Sequence, residues 1–447
     1  MAASAANLRF LRALIRVVFC VLALASSWAF GQASGVGPVD ADKSTSTFLV
    51  HGFGTLGAVS NRSDVLNFRR DMGQPFDLGS QPRYTPDTRV GLQLNYQPTP
   101  SLELVGQWVL RSAAEGAKPI DRVEWAFVGY RLTPDLRVRL GRTGVDVFLM
   151  ADVRNVGYAY PWVRPNTEFY GWVPVFSVDG VDIEQRFNLG DWTWRAKLAA
   201  GSTNSVFPTA PGWPNYDLQV RDAYTFVLSA DAPPWSAKLS YLTFRIATEY
   251  PASDLHTGLQ ALQNPMFGPV AQEAAELDMN SRVLGAKSRY WALGLAYDQS
   301  PWWAQAEFAY VSSPAVAMVQ GRRAYASVGY RIGPVLLHVT KSKADSSTGA
   351  QANPNWFAPM APVVGPVVAA QMQAVGSGAA ALINGTRIDQ STFAVGLRWD
   401  VSENFALKAQ VDDVLVRANG QSLWTVKQDG LGDQRVKIWT LTLDFVF

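Results

Sequence analysis

Val436-Lys437-Ile438-Trp439-Thr440-Leu441-Thr442-Leu443-Asp444-Phe445-Val446-Phe447, the last twelve residues, decide the fold. Side chains along a strand alternate between its faces, so Trp439, Leu441, Leu443, Phe445 and Phe447 share one side. Ile438, Thr440, Thr442 and Asp444 share the other, with Val446 at the end. One face is apolar and the other mostly polar. A half-buried strand of a soluble sheet shows such alternation over a few residues. Sustained to a terminal aromatic ring, it fits the roughly 9–11 residues with which a tilted strand crosses a bilayer.

Working upstream, the pattern repeats as a meander. Strands are predicted at 48–59, 89–97, 102–110, 123–131, 136–142, 177–187, 193–200, 222–230, 236–246, 288–298, 302–311, 323–332, 335–341, 391–400, 405–415 and 436–447. Val90, Leu92, Leu94 and Tyr96 oppose Arg89, Gly91, Gln93 and Asn95; Phe393, Val395, Leu397 and Trp399 oppose Thr392, Ala394, Arg398 and Asp400. The Gly-rich strand 48–59 has no assignable faces.

Every other connection is a tight turn built from turn-forming residues: Pro98-Thr99-Pro100, Leu132-Thr133-Pro134-Asp135, Asn188-Leu189-Gly190-Asp191, Asp231-Ala232-Pro233-Pro234, Gln299-Ser300-Pro301, Gly333-Pro334 and Ser402-Glu403-Asn404. The alternate connections are mostly long, at 60–88, 143–176, 201–221, 247–287, 342–390 and 416–435, with shorter ones at 111–122 and 312–322. A soluble sandwich has no reason to segregate loop lengths in this way, whereas a membrane barrel does. Aromatic residues gather beside the short turns: Tyr96, Tyr130, Trp192, Trp235, Tyr297, Trp302, Tyr330, Trp399, Phe405 and Phe447. A row at one height reads as an interfacial girdle.

Residues 1–33 have the features of a secretory signal peptide. Arg9, Arg12 and Arg16 precede the apolar run Val17–Ala25, and Ser27-Trp28-Ala29 or Gly31-Gln32-Ala33 supplies a small-x-small cleavage site. Cleavage would remove three arginines and no acid, taking the formal charge from +2 to −1 and arguing against a nucleic-acid partner. It would also remove Cys20, the only cysteine, and with it any thiol or cysteine metal ligand. Residues 34–47 read as a flexible leader.

No catalytic constellation emerges. His51, His256 and His338 are far apart in sequence and lie in no metal-ligand or nucleophile motif. His338, the only plausible strand base, reads as a solvated lumen residue. Gly52-x-Gly54 lies in a strand and lacks phosphate-loop context. No cofactor and no metal are expected.

The loop after the fifth strand is the richest in chemistry. Residues 143–176 hold Asp146, Asp152, Arg154, Arg164 and Glu168, together with Tyr158, Tyr160, Trp162, Phe169, Tyr170 and Trp172, and Pro161, Pro165 and Pro174 stiffen them. With sixteen strands, a signal peptide, a terminal Phe and this loop following Leu140-Gly141-Arg142, the chain resembles the trimeric porins of Gram-negative bacteria. Pro165-Asn166-Thr167-Glu168-Phe169-Tyr170-Gly171 is similar to the P-E-F-G-G loop motif of enteric porins, with two extra residues after the proline and Tyr170 in place of a glycine. Tyr158-Ala159-Tyr160-Pro161-Trp162-Val163-Arg164-Pro165 resembles a stretch of less-studied porin-like proteins.

The resemblance implies an all-β transmembrane antiparallel barrel over residues 48–447, in the outer membrane of a Gram-negative bacterium. It implies that the third loop folds inward and narrows the barrel at mid-height, and that the barrel-assembly machinery reads Phe447. It further implies a homotrimer in contact with outer-membrane lipid and lipopolysaccharide, passing small solutes.

Alternation predicts Arg89, Arg137, Arg139, Arg195, Lys197, Lys238, Arg289, Arg398 and Lys408 on the lumen wall, with Glu103, Glu124, Asp182, Glu184, Glu307, Asp400 and Asp412 among them. A charge facing lipid costs roughly 2–4 kcal/mol at the bilayer midplane, which enforces that register. The expected constriction combines Arg89, Arg137, Arg139 and Arg142 with Asp146, Asp152, Arg154, Tyr158, Tyr160, Trp162, Arg164 and Glu168 of the loop. Charge rows of this kind tune which ions pass. The expected function is passive diffusion of small hydrophilic solutes. The alternatives are a sugar- or anion-selective channel, since rings stack on sugar faces, and an enzyme or adhesin on a barrel scaffold. The apolar stretches 257–279 and 359–383 would cap the mouth, fold inward or pack against a neighbour.

Overall fold

Each segment read as a strand is a strand, and hydrogen bonding closes the set on itself. The computed structural model describes residues 46–447 except 78, 80, 115, 117, 174, 210–212, 428 and 429. The expected signal peptide, all but the end of the leader, and Pro174 lie outside the described residues. The strands are β1 (Thr47–Asn61), β2 (Leu66–Phe68), β3 (Arg89–Thr99), β4 (Leu102–Arg111), β5 (Val123–Arg131), β6 (Leu136–Gly144), β7 (Ser177–Leu189), β8 (Trp192–Phe207) and β9 (Tyr216–Ala232). They continue as β10 (Trp235–Ile246), β11 (Lys287–Gln299), β12 (Trp302–Ser312), β13 (Gly321–Ile332), β14 (Val335–Asp345), β15 (Ile388–Ser402), β16 (Phe405–Gln421), β17 (Trp424–Val426) and β18 (Gln434–Val446). Sixteen of them form one closed antiparallel barrel, with β18 between β16 and β1. Closure gives every strand two neighbours, which satisfies backbone groups without an exposed sheet edge. The short strands β2 and β17, read from sequence as loop, pair with each other.

The alternation in β18 is realised as expected. Trp439 and Leu441 face outward, while Ile438, Thr440, Thr442 and Asp444 are buried inside. Leu140, Leu198, Leu239, Leu293, Val339 and Leu397 continue the exposed apolar surface around the barrel. At the short-turn end, Trp235 packs on Tyr297 at 4.8 Å and Trp302 on Tyr330 at 4.9 Å.

The faces of Gly-rich β1 follow from its partners. Thr55 is opposite Asp444 on the lumen side, so Gly52 and Gly54 face outward. The rings of Phe447 and Phe445 lie over these two glycines, where a Cβ would overlap them. On the inner side, Phe53 covers Gly91 in the same way.

Arg289 departs from the predicted register, and Arg142 from the constriction in which it was expected. Arg289 shares the outward face of β11 with Trp291 and Leu293, and Arg142 shares that of β6 with Leu140. Both sit near the long-loop ends of their strands, where the cost of outward charge falls to roughly 0–1 kcal/mol. Arg142 also has a cross-strand partner there, Asp179, at 2.7 Å.

Above the long-loop end, helices α2 (Ser253–Leu262) and α3 (Pro269–Ser281) pack with α4 (Phe357–Val364) and α5 (Pro366–Asn384). The one-turn helix α1 (Thr167–Tyr170) precedes them in the chain. Trp356 donates to Glu273 at 2.7 Å, tying the two helical loops together. Tyr250 and Thr386 both donate to the Ala317 carbonyl, at 3.0 and 2.9 Å, seating the helices on the β12–β13 loop. Their buried faces join the wall and the third loop in one apolar core.

Candidate functional site

The third loop leaves the end of β6, enters the barrel and stays there until β7 begins. Its descending limb is fastened by charge. Asp146 accepts from Lys197 at 3.1 Å and from Lys238, while Ser240 donates to the Val147 carbonyl at 2.8 Å. Burial alone would push the Asp146 carboxyl up, but the two ammonium groups outweigh it and hold it below the ordinary carboxylate range. Next, the Leu149 amide donates to Glu307 at 2.8 Å. Tyr170 from the returning limb donates to the same carboxylate, as does wall residue Tyr325 at 2.7 Å.

The tip goes deeper than mid-height. Tyr158 donates its hydroxyl to the Glu403 carbonyl at 2.8 Å, within the short turn joining β15 and β16. Arg398 donates to the Tyr158 and Tyr160 carbonyls at 2.6 and 3.2 Å. Lys408 donates to the Gly157 and Trp162 carbonyls at 2.6 and 3.0 Å and pairs with Asp444 at 2.9 Å. Thr55 donates to Asp444 at 2.5 Å, so one buried cluster joins loop tip, β1, β16 and β18. Gly157 is needed at this contact because a Cβ would overlap Asp444 and Thr55.

The returning limb is sewn to the wall. The Trp162 indole donates to Ser327 and Thr340 at 3.0 and 3.1 Å. Arg164 grips Asp87 through Nε at 2.9 Å and Nη2 at 2.6 Å, with Asp412 at 3.2 Å and Thr440 at 2.5 Å. Burial opposes ionisation of Asp87, yet Arg164, then Arg70 and Arg89, hold its carboxyl below the ordinary range. Asn166 caps α1 through the Phe169 amide at 3.1 Å. Glu168 then accepts from Ser342 at 2.9 Å, Gln390 at 2.7 Å and Thr392.

The loop contacts named above fall on β8, β10, β12–β16 and β18, with β1 at the tip; on β3 and β4, Arg89 donates to Asn155 at 3.1 Å and Arg111 lies over the Phe176 ring at 3.9 Å. On β4 and β6 three charged side chains stay partly exposed, although Arg89, Gln107, Glu124 and Asp182 on the same arc are buried. Glu103 pairs with Arg137, their side chains 22% and 24% exposed, and Arg139 grips Asp182 at 2.9 and 3.1 Å. Asp152 is the exposed acid of the loop and acts electrostatically on Arg139. Among the described residues, no group of three or more His, Cys, Asp or Glu side chains is placed to hold a metal ion.

No family model and no curated protein sequence matches the chain. Solved structures do. The outer-membrane channel DcaP of Acinetobacter baumannii superposes with a TM-score of 0.50 at 12% identity, over 90% of this chain and 97% of that one. The chain has the porin fold. An anion-selective porin from Comamonas acidovorans, at TM-score 0.49 and 11% identity, covers 90% of this chain and 100% of its own. Salmonella typhi OmpF, in a complex with daunomycin, gives 0.49 and 11% over 90% and 97%.

Within this porin fold, the twelve residues expected at a constriction separate into three groups. Arg89, Asp146, Arg154, Tyr160, Trp162, Arg164 and Glu168 are buried between loop and wall. They are fastenings, not a lining, because their side chains are buried in contact with the protein. Arg154, for example, lies over the Phe176 ring at 3.6 Å, and burial lowers its guanidinium to about 10. Arg137, Arg139, Asp152 and Tyr158 keep partial exposure. Arg142 belongs to neither group, being on the outer face.

The solvated histidine expected at 338 is instead buried, 2% exposed, against Gly396. Asp87, Glu307 and Asp444 hold the loop but were not singled out for that role from sequence. Alternation places Glu307 and Asp444 inside, yet nothing local distinguishes Asp87 from any loop aspartate.

Proposed function

We propose that this chain is an outer-membrane channel of a Gram-negative bacterium, constricted by its third loop and passing small hydrophilic solutes by diffusion. The path runs along β3–β7, between the partly exposed Glu103–Arg137 pair, Arg139 and the loop carboxylate of Asp152. What supports the reading best is that Glu103, Arg137 and Arg139 keep part of their charge exposed on the arc where the named loop fastenings are fewest. Arg139 and Asp152 set a transverse field across the remaining gap, and opposed charges of this kind give mild selectivity. A sugar slide on Tyr160 and Trp162 is disfavoured because both rings are 2% exposed. The apolar outer surface suits outer-membrane lipid and lipopolysaccharide, a homotrimer is the assembly we infer, and Phe447 is the residue offered to the barrel-assembly machinery.

The test is a single cysteine in mature protein that otherwise lacks one, studied in planar bilayers. Asp152→Cys should conduct and then lose conductance on reaction with a water-soluble, bulky thiol reagent, whereas Trp162→Cys should be unreactive. No conductance from the wild-type protein, or no effect of the reagent at position 152, overturns the reading.

A further inference from the structure

The inward face of the wall changes character along β10. Lys238 and Ser240, which fasten the third loop, are followed on the same face by Leu242, Phe244 and Ile246 toward the long-loop end. Tyr290 on β11 lies opposite Leu242, and Val220 on β9 lies opposite Ile246. A lumen wall that only had to face water would not carry such a patch, because water gains nothing on apolar side chains.

The third loop does not fill the space in front of the patch. Val147 and Phe148 on its descending limb and Trp172 on its returning limb border, together with the patch, a cavity of about 120 Å³. Ala199 of β8 and Ala223 of β9 also line it, each with a side chain of one methyl group. Among the described lining residues the charged ones are Asp146 and Lys197, and they are bound to each other at 3.1 Å, with Lys238 also donating to Asp146. An ion in the cavity would therefore meet no free charge of the opposite sign. Two lining groups lack an acceptor among the described residues, the buried Trp172 indole N–H and the buried Tyr290 hydroxyl, on rings 5.7 Å apart.

Protein interiors are closely packed, and few voids exceed the size of a water molecule. A dry apolar cavity of about 150 Å³ takes up benzene, and the present one is of that order with walls of the same kind. An aromatic ring suits these walls better than an alkane, because its π face accepts weakly from N–H groups.

We propose that this cavity is a binding site for a small uncharged aromatic molecule with a single ring. The site is separate from the hydrophilic passage bordered by Glu103, Arg137 and Arg139. It depends on the docked third loop and is independent of conduction.

The test is fluorine NMR of fluorobenzene titrated into the full, detergent-solubilised protein. Partition into detergent rises in proportion to the ligand, whereas the cavity should add one saturable site per chain that toluene empties. Para-fluorobenzoate has the same ring and a charge, and should bind at least about 10-fold more weakly, because burying an unpaired carboxylate is costly. Ala223→Leu extends a side chain into the cavity and should weaken fluorobenzene by about 10-fold or more. Ala199→Leu should do the same from the neighbouring strand. Absence of a saturable, toluene-sensitive site in the wild type overturns the proposal, whether or not the variants fold. Unchanged affinity in either variant, once its heat-modifiable migration shows a closed barrel, overturns it as well. Para-fluorobenzoate bound as tightly as fluorobenzene would put a free cation at the site and refute the assignment.

Discussion

Arg164→Met should release the returning limb of the third loop while leaving the barrel closed. The Arg164 side chain is 3% exposed, and its partners Asp87 and Asp412 are 0% and 7% exposed. Methionine fills much of the volume but supplies no charge. Asp87 would then keep only Arg70, at 3.4 Å, and Asp412 only the Gln410 amide, at 2.6 Å. Breaking a buried ion pair by removing one partner costs about 3–5 kcal/mol, because the other charge stays buried. That energy is lost from the docked loop and not from the undocked one, where both carboxylates are hydrated. The opening equilibrium should therefore shift about 160- to 4,800-fold toward the open loop, whatever its starting value.

Amide hydrogen exchange reads this factor directly, and residues 157–170 should exchange faster by that amount while the β16 and β18 amides do not. Heat-modifiable gel migration confirms an intact barrel. Adding Asp412→Asn to Arg164→Met should restore part of the slow exchange, since Asp412 is the carboxylate left without a cation while Asp87 keeps Arg70. Exchange across 157–170 that stays at the wild-type rate in Arg164→Met, with the barrel intact, refutes the idea that this cluster holds the loop.

Asp87 and Asp146 both have lowered carboxyl pKa values in the docked loop, so they stabilise docking fully above the ordinary carboxylate value of about 4 and lose that contribution as the pH falls below it. Loop exchange rates, corrected for intrinsic chemistry, should be flat from neutral pH to about 5 and rise in acid. Gly157→Val drives side-chain atoms into Asp444 and Thr55, and should cost about 1–3 kcal/mol of docking, visible as faster exchange at 155–160. Arg139→Gln should move the reversal potential in a potassium chloride gradient toward cations, and Asp152→Asn toward anions, both more at low salt. Arg139→Glu is the poorer test, because it sets a second carboxylate against Asp182, which Arg139 now grips at 2.9 Å. Deleting Phe447 removes two backbone hydrogen bonds with Gly52, at 2.8 and 3.0 Å, and should lower the yield of heat-modifiable barrel.

The barrel was legible because its signal is local and redundant. A strand's faces follow from period-2 alternation, and lipid penalises each error in it separately. Where the penalty weakens, the reading weakens with it, as for Arg289 at a strand end; Arg142 was expected in the constriction because it leads into the third loop, although its parity with Leu140 points outward. The glycine strand β1 was unreadable for a different reason: its surface is supplied by rings from other strands. Only pairing shows that Phe445 and Phe447 lie over Gly54 and Gly52.

The site was half legible, and the boundary between the halves is physical. Alternation can say that a side chain points inward but not what it meets there. Lys408 and Arg137 have the same parity signal, yet Lys408 is wholly buried against Asp444 and the loop carbonyls, while Arg137 keeps 24% of its side chain exposed. The difference is made by a segment more than 200 residues from Lys408 in sequence. The same lack of local signal hides Arg323. On parity it is one more inward arginine; only its surroundings, two alanines, an indole and a phenol, show that its buried donors have no hydrogen-bond partner among the described residues. Among inward charges in a wall of this kind, the informative variable is therefore the partner and not the direction. A paired, buried charge such as Lys408 fastens the loop, and a paired, partly exposed one such as Arg137 is left for the proposed passage.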